Sequence, residues 1–204
     1  MKLIGMLDSP FVRRVAISLK LLEIPFEHQA LSVFRNVDEF SAINPLVKAP
    51  TLICDDGEML IDSSLILDYI ETLVGPEKSL MPSQADLRQH ALRLIGIGLI
   101  ACEKTVQIYY ERSLRPVEKQ HQPWLDRIRQ QLGAAYDLLE QAAAQPSPWL
   151  FSDSLMQPDI TVCVAWRFTQ FMIPDVVDPA HYPALAQLSE RAETLPEFVA
   201  TPLE

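Results

Sequence analysis

Ser9, with Pro10 and Phe11, stands directly in front of two arginines and an apolar run in LDSPFVRRVAISLKLL, residues 7–22. A hydroxyl in that place has two uses. It can cap a helix by accepting a backbone amide, with Pro favoured at the first helical position, or it can be aimed at a thiol outside the helix. Two further stretches put polar groups at the ends of elements. In NPLVKAPTL, residues 44–52, Pro50 precedes a core-like strand. Proline has no N–H to give to a ladder, so the strand begins there and the Ala49 backbone is free to pair with something else. In IDSSLI, residues 61–66, Asp62, Ser63 and Ser64 open a helix and read on their own as a capping cluster. Cys54, Cys102 and Cys163 lie 48 and 61 residues apart, with no Cys-x-x-Cys and no short spacing to His28, His90, His121 or His181. That pattern speaks against a disulfide framework, a redox pair or a zinc knuckle, and fits a reducing cytoplasm.

The elements that must position these residues divide the chain into two parts. Up to about residue 78 short apolar strands alternate with helices: KLIGML, the helix from Pro10, PFEHQAL, a polar stretch RNVDEFSAI, the pair APTLIC and EMLI around an Asp55-Asp56-Gly57 turn, and the helix SSLILDYIETLV. The Asp-Gly turn between apolar runs predicts a hairpin, so the sheet is mixed. In the first helix Val12, Val15, Ala16, Leu19 and Leu22 form the buried stripe, while Arg13, Arg14, Lys20 and Glu23 take the other face. After Pro82 the strands stop. Helical periodicity runs through Ser83–Arg115 and Trp124–Gln145, and again from near Pro158 and Pro183. The expected organisation is an α/β domain over residues 1–78, a linker over 79–86 and an all-helical domain over 87–204. Gly96 and Gly98 interrupt the first long helix at about 1 kcal/mol each against alanine, and mark close helix packing or a bend.

With 204 residues, 49% of them hydrophobic, the chain can bury a substantial core without staples. Its formal charge of −10 is shared evenly: 7 basic against 12 acidic residues up to position 80, and 10 against 15 afterwards. Nothing in it neutralises phosphates, which argues against nucleic acid or an anionic membrane as partner. Asp8, Pro10 and two arginines interrupt the apolar start before a signal sequence develops. The longest apolar run, Leu94–Cys102, is far short of the roughly 20 residues that span a bilayer.

Taken in order, a Ser-Pro-Phe helix start at 9–11, a Lys-Ala-Pro at 48–50, an Asp-Ser at 62–63 and then an all-helical half with RSLRP at 112–116, PWLDRIRQQL at 123–132 and PDITV at 158–162 resemble the glutathione S-transferase superfamily over essentially the whole chain. In detail the pattern is similar to a bacterial subgroup with a serine-type active site. The resemblance implies a thioredoxin-like first domain with a four-stranded mixed sheet, an all-α second domain, and glutathione as co-substrate with no metal. It further implies a cytoplasmic homodimer that acts in detoxification by conjugating or reducing an electrophile or peroxide.

It also implies roles. The Ala49–Pro50 bond is expected to be cis, with the Ala49 backbone pairing strand-fashion with the glutathione peptide. Ser63 takes the γ-glutamyl carboxylate through its hydroxyl and free helix amides, Asp62 takes the ammonium, and Lys48 lies near the glycyl carboxylate. Ser9 is then left for the thiol. A thiol of pKa about 8.5 is only a few per cent thiolate at neutral pH, and lowering it by roughly 2 units takes about 2.7 kcal/mol. A hydrogen bond to a charged group supplies about 1.5–3 kcal/mol and a helix N-terminus about 0.3–1 kcal/mol more. Glutathione, not the protein, is then the nucleophile.

The chain departs from the family pattern at three points. Alanine precedes the key proline where valine is usual, aspartate stands at 62 where glutamate is as common, and Met156 occupies the Ser/Thr cap position before Asp159. The last removes half of a capping box, with an expected cost of about 0.5–2 kcal/mol. For the electrophile pocket the candidates are Phe11, Tyr109, Tyr110 and Trp166, with Arg112 or Arg115 either steering an acidic substrate or pairing with Glu111 and Glu118. Two other readings stand beside the enzyme: a non-catalytic glutathione-binding or regulatory protein that keeps the fold, and a glutaredoxin-like reductase. The second is disfavoured, because Ser9 and Val12 stand where that chemistry needs cysteines.

Overall fold

The computed structural model describes residues 1–203 and divides into two compact units, Met1–Leu80 with the segment from Thr194 on, and Met81–Glu193. The first unit holds four three-residue strands, β1 (Lys2–Ile4), β2 (Glu27–Gln29), β3 (Thr51–Ile53) and β4 (Met59–Ile61), with helices α1 (Pro10–Leu21), α2 (Val37–Ile43) and α3 (Ser63–Glu71). The sheet order is β2-β1-β3-β4, with β1 parallel to β2 and the other two pairings antiparallel. This is the expected thioredoxin-like mixed sheet. The β3–β4 hairpin turns at Gly57, whose φ of +91° is a conformation that favours glycine.

The predicted stripe of α1 is buried in full, from Val12 and Val15 to Leu22. The expectation that Arg13 and Arg14 face solvent is wrong: they are 1% and 2% exposed. The helix is covered on more than one side, because α3 and the short C-terminal helix α8 (Pro196–Val199) both pack on it. The expected helical domain of 87–204 is likewise shorter, since the last residues join the first unit.

The second unit is built on α4 (Ala85–Ser113), α5 (Gln122–Ala143), α6 (Gln157–Met172) and α7 (Pro183–Glu193). Its central helix is α6, in which every residue from Ile160 to Phe168 except the exposed Arg167 is buried. The expected loss of half the capping box is not what the helix start shows: the Asp159 carboxylate accepts the Met156 amide at 2.8 Å, and the Met156 side chain takes the Ser/Thr place against the Asp159 amide. The other Asp159 oxygen accepts the Leu150 amide, also at 2.8 Å, which ties down the preceding loop.

The two glycines of α4 differ. A Cβ on Gly98 would lie 3.2 Å from Thr161 Cγ2 on α6, the close packing expected, whereas a Cβ on Gly96 would meet nothing within 4 Å. Gly96→Ala is therefore expected to stabilise the unit by about 1 kcal/mol through helix propensity alone. Gly98→Ala gives that gain back to steric conflict, so its urea midpoint will be unchanged or lower. Among the described residues no helix is long and apolar enough to cross a membrane.

Candidate active site

The register of the sheet decides where the chemistry-bearing residues emerge. Ile4 pairs with Thr51, and Thr51 pairs with Ile61. The end of β1, the start of β3 and the end of β4 therefore lie side by side at one end of the sheet. The chain leaving Ile4 runs to Ser9, the chain entering Thr51 comes from Lys48-Ala49-Pro50, and the chain leaving Ile61 enters Asp62-Ser63. Three stretches dispersed over 55 positions share one rim.

Ser9 starts α1 with extended backbone, and its carbonyl accepts the Arg13 amide at 2.9 Å. Its hydroxyl makes no capping bond. Pro10 has no N–H, so the amides of Phe11 and Val12 are the first-turn donors that the helix itself does not use. Polar donors at a helix N-terminus form an anion-binding surface. The loop before Ser9 is held by Gly5, whose amide donates to the Gln29 carbonyl at 3.1 Å and whose carbonyl lies 2.8 Å from His28 Nε2. Gly5 has φ +139°, and a Cβ there would lie 2.6 Å from Val12 Cγ2 and 3.0 Å from Ala49 Cβ. The Ser9 loop and the Ala49 turn are thus in direct contact.

The Ala49–Pro50 peptide bond is cis, as the resemblance implies. The turn before it is organised by Asn44, a fully buried residue that the sequence motifs do not reveal. Its amide donates to Thr51 Oγ1 at 2.8 Å and to the Lys48 carbonyl at 3.4 Å, and its carbonyl oxygen accepts the Leu46 amide at 2.9 Å. Thr51 Oγ1 also donates to the Lys48 carbonyl at 2.7 Å. Ala49 itself, among the described residues, gives neither its amide nor its carbonyl to another group. Lys48 is exposed beside it.

Asp62 caps α3 through Oδ1, which accepts the Ser64 amide at 2.8 Å, and it does so from φ +65°, in the left-handed region. Non-glycine residues are uncommon there, Asp among the more frequent, and such strain concentrates at functional sites. Ser63 is the first residue of α3 and only 2% exposed. Behind it lies Arg14 of α1, whose Nη1 is 3.4 Å from Ser63 Oγ. Helical periodicity alone sends Arg14 to solvent, and the only sequence signal against this is the pair of adjacent arginines inside an otherwise apolar segment.

The other predicted residues belong to the second unit. Tyr109 and Tyr110 sit on α4 with ring centroids 6.2 Å apart. Tyr110 lines an open cleft of about 480 Å³ together with Leu114, Arg115, Lys119 and Trp124. Arg115 pairs with Glu111 at 2.9 Å and Arg112 with Asp175 through two bonds of 2.8 and 3.1 Å, so pairing describes both arginines. Trp166 is buried between Tyr136 and Tyr182, which makes it core and removes it from the pocket candidates.

Residues 3–78 match the family model described as glutathione S-transferase, N-terminal domain, and residues 122–191 match glutathione S-transferase, C-terminal domain. An uncharacterised GST-like protein of Escherichia coli (strain K12), YibF, is 30% identical over 141 residues, which cover 69% of this chain and 68% of that protein. Among solved structures, a glutathione S-transferase of Methylobacterium radiotolerans in complex with glutathione sulfonate superposes with a TM-score of 0.90 at 27% identity, covering 98% of this chain and 93% of that one. A glutathione transferase family member of Pseudomonas fluorescens Pf-5 with bound glutathione gives a TM-score of 0.87 at 28% identity, covering 100% and 98%.

Proposed function

The chain belongs to the glutathione S-transferase family, and from that premise we propose that it is a glutathione-dependent transferase of the serine type, which ionises the glutathione thiol for attack on an electrophile or peroxide. The observation that carries the reading is the Ser9 hydroxyl, which starts a helix without capping it and stands on the same sheet rim as Ala49 and Ser63. A serine needed only for the helix would accept one of the first-turn amides.

The peptide of glutathione pairs with the unused amide and carbonyl of Ala49. Its γ-glutamyl carboxylate meets the Ser63 hydroxyl and the start of α3, with the buried Arg14 guanidinium adding positive charge behind them. Asp62 keeps one oxygen for the ammonium, since the other caps Ser64, and Lys48 serves the glycyl carboxylate. The thiol then falls to Ser9 and the Phe11 and Val12 amides. Donation from the hydroxyl stabilises the thiolate, the thiol proton passes to solvent, and the sulfur lone pair forms the new bond as the electrophile's leaving group departs with its bonding pair. With a peroxide, the bond forms as the O–O bond breaks and the departing oxygen takes up a proton. Tyr109 and Tyr110 are the aromatic residues offered to the electrophile. The protein works in the cytoplasm as a homodimer in detoxification; exposed Leu65 on α3 and Leu92 and Ile100 on α4 supply apolar surface for a second copy.

Calorimetric titration with glutathione, with thiolate absorbance followed at neutral pH, tests the reading. Binding accompanied by a thiolate signal is expected. Binding without it makes the protein a carrier or regulator, and no binding overturns the assignment of all the rim residues.

A further inference from the structure

Arg13 stands four residues after Ser9, and its amide closes the first turn of α1 on the Ser9 carbonyl. Its side chain leaves in the other direction and is buried, which is costly for a guanidinium unless its donors are met. The end of the chain meets them. Nε donates to the Thr201 carbonyl at 2.7 Å and Nη2 to the Phe198 carbonyl at 3.5 Å, while the guanidinium lies over the Phe198 ring, 5.7 Å from its centroid. Carbonyls at the end of a helix lack intrahelical partners, and α8 ends here. The Thr201 hydroxyl adds bonds to the Glu197 and Phe198 carbonyls, at 2.9 and 3.2 Å, so the C-terminal segment is itself well fixed. Phe198 and Thr201 are both buried.

We propose that Arg13 is a positioning residue for Ser9, and that the C-terminal segment holds it in place. The residue whose amide fastens the Ser9 carbonyl is anchored through its side chain to the last turn of the chain. That anchor sets the direction of the first turn of α1 and with it the direction of the Ser9 hydroxyl. The proposal rests on the reading of Ser9 given above. It concerns the thiol end of the site alone, because Ala49 and Ser63 are carried by other segments.

The distinguishing experiment uses full-length Arg13→Met, Arg13→Lys and Phe198→Ala proteins and two ligands. Glutathione reports the thiol through its ultraviolet titration, and S-methylglutathione, which has no thiol to ionise, reports the rest of the site by calorimetry. In Arg13→Met and Phe198→Ala the apparent pKa of bound glutathione is expected to rise by about 0.5–1 unit, about three- to tenfold less thiolate at a fixed pH below that pKa. Arg13→Lys, which keeps one donor and the charge, falls between them and wild type. Affinity for S-methylglutathione stays within about twofold, since no contact to that ligand is touched. An unchanged thiol pKa in variants that bind S-methylglutathione normally overturns the proposal. So does a loss of S-methylglutathione affinity that tracks the pKa change in all three variants, the mark of a purely structural role. If Arg13→Met fails to fold, Arg13→Lys and Phe198→Ala decide. Wild-type protein that binds glutathione without any thiolate signal fails the Ser9 reading itself, and this inference with it, before any variant is made.

Discussion

Ser9→Ala will lower turnover with an electrophile by roughly 10- to 100-fold, the loss of one hydrogen bond to a charged group worth about 1.5–3 kcal/mol, while glutathione affinity stays within several-fold. The two halves of that expectation have different sources. In the proposed reading affinity is spread along the tripeptide, over Ala49, Asp62, Ser63 and Lys48, whereas thiolate stabilisation is concentrated on the hydroxyl and the first amides of α1. Stability gives an independent check. A serine that caps its helix loses about 0.5–2 kcal/mol on replacement by alanine, but the Ser9 hydroxyl makes no capping bond. The melting temperature of Ser9→Ala should therefore match wild type while its rate does not. An unchanged rate removes Ser9 from the mechanism.

The largest effect on stability is expected at Asp159. Its side chain is fully buried, and its two oxygens accept the Leu150 and Met156 amides. Asp159→Ala leaves both amides without their acceptor, at about 1–3 kcal/mol for each group, so a total loss of about 2–6 kcal/mol is expected in urea unfolding, towards the lower end because the Met156 amide is only part-buried. The carboxyl also carries a pH signature. Burial pushes its pKa up to about 6, against the pull of the amide bonds. A carboxyl with a raised pKa binds its proton more tightly in the folded state, so its contribution to stability is fully present below the unfolded value, near 4. That contribution is lost as the pH rises through about 6. The loss amounts to roughly 3 kcal/mol. Unfolding of wild type and Asp159→Asn across this range isolates it, since asparagine does not titrate. The stability difference, wild type minus variant, should fall as pH rises, and a flat difference would show an unperturbed carboxyl.

Much of the fold is legible in the sequence because the signals are local. The Asp56-Gly57 turn, the stripe of α1 and the proline-punctuated helices of the second unit all lie where periodicity and turn chemistry predict them. The misreadings come from partners far away in the chain. Arg13 and Arg14 look like a solvated face because α8, which covers the first of them, is four residues long and comes near the end of the sequence. Trp166 looks available for a pocket until Tyr136 and Tyr182 are seen around it. Gly96 and Gly98 look alike, and only the position of Thr161 separates them.

The candidate site shows the same division. Ser9, Ala49–Pro50 and Asp62–Ser63 are conspicuous because caps and strand starts demand particular residue types. Their convergence is not, since it depends on the pairing register of strands only three residues long. Asn44 is silent for another reason: a polar residue in a turn looks solvated unless the groups it satisfies, Thr51, Lys48 and Leu46, are known to surround it.

The split make-up of the first unit bears on how the protein is made. Synthesis proceeds from the N-terminus, and domains generally fold in that order as they emerge. Here the carbonyls that receive Arg13 follow it by 185 and 188 residues. While the ribosome is still translating the helical unit, the nascent α1 carries a guanidinium whose acceptors do not yet exist. The first unit is therefore completed only after the helical unit has been translated, when residues 198–201 leave the exit tunnel.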